Sequence, residues 1–204
     1  MQHVQLLIDG QSVDAANQAT FERISPIDGH VASVAAAATL EDVDRALESA
    51  SRAFQIWSKV SPTERRLRLL KAADLMDQNT EKFIEIGMRE TGSTATWYGF
   101  NVHLAANMLR EAAAMTTQID GSLIPSDVPG NLAMGIRVPC GVVVGIAPWN
   151  APVILPTRAL AMPLACGNTV VLKASEACPA THRLIGAILN EAGLGDGVVN
   201  VITH

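Results

Sequence analysis

The chain has 204 residues, enough for one large domain or for one domain plus an incomplete second. A net charge of -5 with no basic patch argues against nucleic acid as a partner. Only 17% of residues are charged, below the usual roughly 25%, which points to surface buried between domains or subunits.

The N-terminus, MQHVQLLIDGQ, has no basic region followed by an apolar one, so no secretory signal is expected. Val4–Ala15 alternates around Asp9-Gly10, a hairpin signal. Ser25-Pro-Ile-Asp-Gly29 reads as a turn and Val31–Val34 as a short strand. Thr39 is an expected N-cap, with Glu41 and Asp42 in the first turn of a helix whose apolar face is Val43, Ala46, Leu47, Ala50, Ala53 and Phe54. Ser61-Pro62-Thr63-Glu64 starts a second helix, with Leu67, Leu70, Ala73, Leu75 and Met76 as its apolar positions. A third begins at Thr80-Glu81 and ends near Gly92, and a fourth covers about Ala95–Ile119. Asn131–Val138 reads as a strand.

Val138–Thr157 carries no charge, yet Pro139, Pro148, Pro152, Pro156 and Asn150 would break any membrane-spanning helix placed there. Within it Gly141–Ala147 is too short and too valine-rich for a helix and reads as a strand buried on both faces. A turn with Pro148, Trp149 and Asn150 follows, then an apolar helix from about Val153 that ends at Gly167-Asn168. Thr169–Leu172 is a second strand, Pro179–Glu191 a helix and Val198–Ile202 a third strand. This alternation is the grammar of a parallel α/β sheet, in which ligands bind beyond the carboxyl ends of the strands. Those ends carry Pro148-Trp149-Asn150 and Lys173-Ala-Ser-Glu176.

Ile146-Ala-Pro-Trp-Asn150 and Gly167-Asn-Thr-Val-Val-Leu-Lys173, in this strand context, resemble the aldehyde dehydrogenase superfamily, the NAD(P)-dependent enzymes that oxidise aldehydes to acids. The resemblance spans the chain, which stops at His204 before the family's Gly-rich cofactor loop, catalytic glutamate and catalytic cysteine. The resemblance therefore implies the N-terminal portion of such an enzyme, inactive by itself. It implies a Rossmann-like parallel sheet, an N-terminal helical layer and part of a small oligomerisation sheet. The expected division is a hairpin and helical layer over residues 1–130, then an oligomerisation strand and the first βαβαβ unit of the NAD-binding domain over residues 131–204. A homo-oligomer, dimer or tetramer, is implied as well.

Read alone, Asn150 is a turn asparagine satisfying local backbone. The resemblance makes it the oxyanion-hole donor and a cofactor contact, and places Ile146, Pro148 and Trp149 along the cofactor cleft, although Trp149 reads equally well as a core anchor. Lys173 and Glu176 are either a solvated pair at a helix start or, by resemblance, the groups that bind the adenosine ribose. A carboxylate there repels a 2′-phosphate, so Glu176 tilts the cofactor to NAD. Ala174 stands where the family usually has proline and is expected to loosen that turn. Ala151 replaces the family's frequent aromatic residue at the tunnel wall, and Arg158 sits one helical turn beyond Ile154. Arg158 is either paired with a carboxylate at an interface or a substrate anchor. With Ala151 it resembles the branch that oxidises aromatic aldehydes of the salicylaldehyde and vanillin type.

Gly193-Leu-Gly-Asp-Gly197 joins a helix to a strand and reads as a C-cap and turn, not a dinucleotide fingerprint. Three scattered cysteines make no disulfide framework, and a reducing cytoplasm is the simplest setting. Cys140 and Cys166 read as small hydrophobes, while Cys178, at a helix start, is where a thiolate is favoured. His30, His103 and His182 lack metal spacing. The rivals to the enzyme reading are a truncated nucleotide-binding or oligomerisation module without chemistry, and a superfamily member that releases an acyl-CoA or acyl-phosphate.

Overall fold

The computed structural model describes residues 2–204. The N-terminal strands are β1 (Gln2–Val4), β2 (Leu6–Ile8), β3 (Gln11–Val13), β4 (Thr20–Ile24) and β5 (Val31–Ala36). Four helices follow: α1 (Leu40–Trp57), α2 (Pro62–Gln78), α3 (Thr80–Thr91) and α4 (Ala95–Met115). The remainder is β6 (Ser122–Ile124), β7 (Ala133–Gly135), β8 (Val142–Ile146), α5 (Ile154–Ala165), β9 (Thr169–Lys173), α6 (Pro179–Glu191) and β10 (Val199–Ile202).

The central sheet has five strands in the order β3-β2-β10-β9-β8. β8, β9 and β10 run parallel, and the β2–β3 hairpin adds antiparallel to β10. The expected hairpin therefore extends the sheet, and both sheet and main core draw on residues from either side of Gly130. β9 lies between two strands and is buried almost throughout. β8 does not have two buried faces as its composition implied: Val144 is 55% exposed and Ile146 76%. It is the sheet's edge strand, with apolar side chains left open to solvent.

The helix starts follow their capping chemistry. Thr39 and Asp42 form a reciprocal capping box, with Asp42 Oδ2 accepting from Thr39 N at 2.9 Å. Ser61 Oγ accepts from Glu64 N at 3.2 Å, and Pro62 opens α2. Gly92 closes α3 in the left-handed region at φ 72°. α4 stops at Met115, short of the expected Ile119, where the Thr116 hydroxyl donates to the Ala113 carbonyl.

The apolar face of α2 is Leu69, Ala72, Ala73 and Met76, while Leu67 is 54% exposed, against expectation. Arg65 takes the inward position one turn before Leu69, because its guanidinium has carbonyls to bond there. Its Nε donates to Ala165 O at 3.0 Å and Nη1 to Val60 O. Trp57 Nε1 donates to Leu164 O at 3.1 Å. Thus α1 and α2 together satisfy orphan carbonyls in the last turn of α5, the helix that follows the Asn150 turn.

α3 packs against α4 through Gly87, where an added Cβ would lie 1.9 Å from the Tyr98 ring. Tyr98 is fully buried and its hydroxyl contacts Thr91 Oγ1 at 3.2 Å, so the ring has no room to retreat. Gly87→Ala is expected to cost the upper end of the roughly 1–3 kcal/mol typical of overpacking. Gly99→Ala, where the nearest atom is Ile84 Cδ1 at 3.9 Å, is the control. A melting-temperature loss in Gly87→Ala no larger than in Gly99→Ala would show that the ring does yield.

The strand expected over Asn131–Val138 shortens to β7, which pairs antiparallel with β6, an element the sequence pattern did not signal. Leu123, Met134, Ile136 and Val138 are all exposed on or beside this small sheet. Among the described residues no helix is long and apolar enough to cross a membrane.

Candidate active site at the carboxyl edge of the sheet

Parallel pairing places Ile146 opposite Lys173, and Lys173 opposite Ile202. Ala147 N donates to Lys173 O at 3.1 Å and Ala174 N to Ile202 O at 2.8 Å, so the chains leave the sheet side by side. The Ala174 bond is one a proline would lack. Ala174 is also fully buried, so this turn is held rather than loosened.

Pro148, Trp149 and Asn150 are exposed at this edge, and Ala151 is half-buried. Trp149 is 56% exposed, which removes its reading as a core anchor. The turn returns into α5 through Leu155 N, which donates to Ala151 O at 3.0 Å. From α4, buried Asn101 presents Oδ1 to Ile154 N at 3.5 Å. Arg158 is exposed, and none of the ion pairs among the described residues includes it, so the interface carboxylate weighed for it is not found there.

On the neighbouring turn Lys173 Nζ lies 3.6 Å from Glu176 Oε2. The Ser175 hydroxyl donates to the same oxygen at 3.4 Å. Glu176's own backbone N–H and the Lys173 ammonium hold its carboxyl below the usual range. It is thus an exposed, ionised acceptor, suited to a vicinal diol.

The cysteines divide. Cys140 is exposed, not a packed hydrophobe; its backbone N–H donates to Asn168 Oδ1 at 2.7 Å, fixing the chain on its way into β8. Cys166 is half-buried. Cys178 is buried, and burial pushes its thiol well above the ordinary value, so its place at a helix start does not favour a thiolate here. Its Sγ lies 3.3 Å from His182 Nε2, but burial drives the His182 pKa down to about 3. A neutral thiol beside a neutral imidazole is the opposite of an activated nucleophile.

His182 is what sequence reasoning missed. Its Nδ1 accepts from Ser175 N at 3.0 Å, tying α6 to the Lys173–Glu176 turn. The available signal was a histidine on the inward face of an apolar helix, one turn after Cys178. Among the described residues no group of metal-ligating side chains comes together. Gly193, Gly195 and Gly197 all have positive φ between α6 and β10, the C-cap and turn expected of them.

The sequence model of the aldehyde dehydrogenase family matches residues 13–204. The chain belongs to the aldehyde dehydrogenase family. It is 64% identical over 204 residues to a vanillin dehydrogenase of Pseudomonas fluorescens, covering 100% of this chain and 42% of that protein. It is 48% identical over 197 residues to a salicylaldehyde dehydrogenase of Pseudomonas putida, covering 97% of this chain and 41% of the relative. The crystal structure of a salicylaldehyde dehydrogenase from Pseudomonas putida complexed with salicylaldehyde superposes with a TM-score of 0.97 at 46% identity, over 100% of this chain and 42% of that one. The chain thus spans about two fifths of the length of the relatives it matches.

Proposed function

We propose that these residues form the N-terminal part of an NAD-dependent aldehyde dehydrogenase that oxidises an aromatic aldehyde of the vanillin or salicylaldehyde type. The observation that carries this reading is likeness along the whole chain to relatives named for those two aldehydes. Two exposed turns side by side at the carboxyl edge of the parallel sheet support it. NAD, held by Lys173, Glu176 and the Ile146–Trp149 cleft, would supply a hydride acceptor for the aldehyde carbon once a nucleophile had added to it. The Asn150 amide donates to the aldehyde oxygen as negative charge grows there on nucleophilic attack, without carrying charge itself. Ile146, Pro148 and Trp149 line the cofactor cleft. A homo-oligomer built partly through the exposed apolar β6–β7 sheet fits this reading, as does a reducing cytoplasm for three free cysteines. The decisive experiment supplies vanillin, salicylaldehyde and NAD to the full-length protein. NADH should form, and none with either aldehyde would refute the reading. Residues 1–204 alone should form none.

Glu176 sets the cofactor choice in this reading, its ionised carboxylate accepting from the ribose hydroxyls and repelling a 2′-phosphate. Glu176→Gln keeps the size and removes the charge. It should narrow the gap in kcat/KM between NAD and NADP, mainly by improving NADP. An unchanged ratio would show that Glu176 does not face the ribose.

Arg158 is the proposed anchor for the ring hydroxyl, its forked donors turning the aldehyde carbon toward the nucleophile. Arg158→Leu should lose about ten- to a hundredfold in kcat/KM for vanillin, the equivalent of one charged hydrogen bond of about 1.5–3 kcal/mol. Benzaldehyde, which has no hydroxyl, should lose far less. Equal losses on both would return Arg158 to an interface role.

A further inference from the structure

We propose that His182 is a positioning residue for cofactor binding: its buried imidazole fixes the Lys173–Glu176 turn against α6. This rests on the reading above that the two turns hold NAD. His182 is fully buried on α6, far from any substrate-facing surface of its own. Nδ1 accepts from the Ser175 backbone N–H at 3.0 Å, so in the neutral ring the proton sits on Nε2. That proton points to Cys178 Sγ at 3.3 Å. Ser175 directly precedes Glu176. The ring therefore holds the backbone of the Lys173–Glu176 turn from its inner, buried side.

The ring can hold this turn because the first turn of α6 is itself anchored to α3. The backbone N–H groups of Ala180 and Thr181 donate to Glu90 on α3, at 2.8 Å and 3.0 Å. The first turn of α6 is thus clamped to the helical layer, and His182, the next residue, passes that fixed position to the sheet's carboxyl edge. Ser175 is only 3% exposed, so without Nδ1 its N–H has no solvent to turn to. The turn would then move to find an acceptor, and Glu176 would move with it. A buried charge would be a poor clamp; burial keeps this imidazole neutral at every working pH.

Three variants of the full-length protein separate this role from simple packing. Asparagine places its Oδ1 where Nδ1 stands and keeps the acceptor for Ser175. Glutamine extends an amide toward the Nε2 position and leaves Ser175 unpaired. Leucine keeps bulk and removes both. His182→Leu and His182→Gln should raise the KM for NAD and its dissociation constant about tenfold, the weight of one buried backbone partner. The kcat at saturating NAD and the KM for vanillin should change little. His182→Asn should restore NAD affinity to near that of the wild type. A residue that served stability alone would lower the melting temperature in all three and leave the KM for NAD unmoved. If wild type binds NAD and the glutamine and asparagine variants bind it equally well, the inference fails, whether or not the leucine variant folds. If the wild type binds no NAD by calorimetric titration, the parent reading falls and this inference falls with it.

Discussion

Asn150→Ala in the full-length protein should lower kcat for vanillin by about a hundred- to a thousandfold, the loss typical of removing one oxyanion donor. The KM for vanillin should stay near its original value, because the lost contact to the aldehyde oxygen strengthens only as charge develops there. Geometry makes the variant a clean one. Asn150 is exposed on a turn whose path is set by other groups: Ala147 N on Lys173 O, Leu155 N on Ala151 O and Asn101 facing Ile154 N. Removing the amide leaves those bonds intact. Asn150→Asp is the sharper companion, since it sets a negative charge against the developing oxyanion and should lose at least as much. A fall of less than about tenfold in both would mean that the oxyanion draws its donors from elsewhere.

Much of this fold was legible in the sequence because its signals are local. Thr39 with Asp42, and Ser61 with Glu64, are capping pairs three residues apart, and each starts a helix where expected. Pro179–Glu191 and Thr169–Lys173 follow from proline, glycine and uninterrupted apolar runs. The positions of the two functional turns follow from the parallel sheet they terminate. What failed was whatever depends on a neighbour far along the chain. Val142–Ile146 has the composition of a central strand but stands at the edge of the sheet, paired on one side with Thr169–Lys173, a placement that composition alone does not reveal. Leu67 lost the inward place to Arg65, whose carbonyl partner Ala165 lies 100 residues away. Cys178 sits at a helix start, where a thiolate is normally favoured, yet the first turn already has its anion: Glu90, from α3. That one substitution of partner also explains why α6 has no side-chain cap of its own.

Glu90 is therefore a polar residue whose loss should destabilise the fold. It is 1% exposed and receives four donors: Ala180 N at 2.8 Å, Thr181 N at 3.0 Å, Thr181 Oγ1 at 2.9 Å and Ser33 Oγ at 2.9 Å. Burial pushes its carboxyl up, and these donors oppose that push. All four need an acceptor, and only a carboxylate offers acceptors on both oxygens. Glu90→Gln keeps the shape but turns one oxygen into an amide that faces a donor. One backbone N–H of α6 is then buried unpaired, at about 1–3 kcal/mol. At roughly 2–4 °C per kcal/mol for a domain of this size, the melting temperature should fall by several degrees. Glu90→Ala should fall further, since it also opens a cavity and frees both N–H groups. Hydrogen exchange locates the effect: the amides of Ala180, Thr181 and His182 should lose protection first, ahead of the sheet. Because His182 follows directly, NAD affinity should weaken alongside stability in Glu90→Ala. Unchanged exchange at Ala180 and Thr181 in both Glu90 variants would show that α6 is held by packing alone.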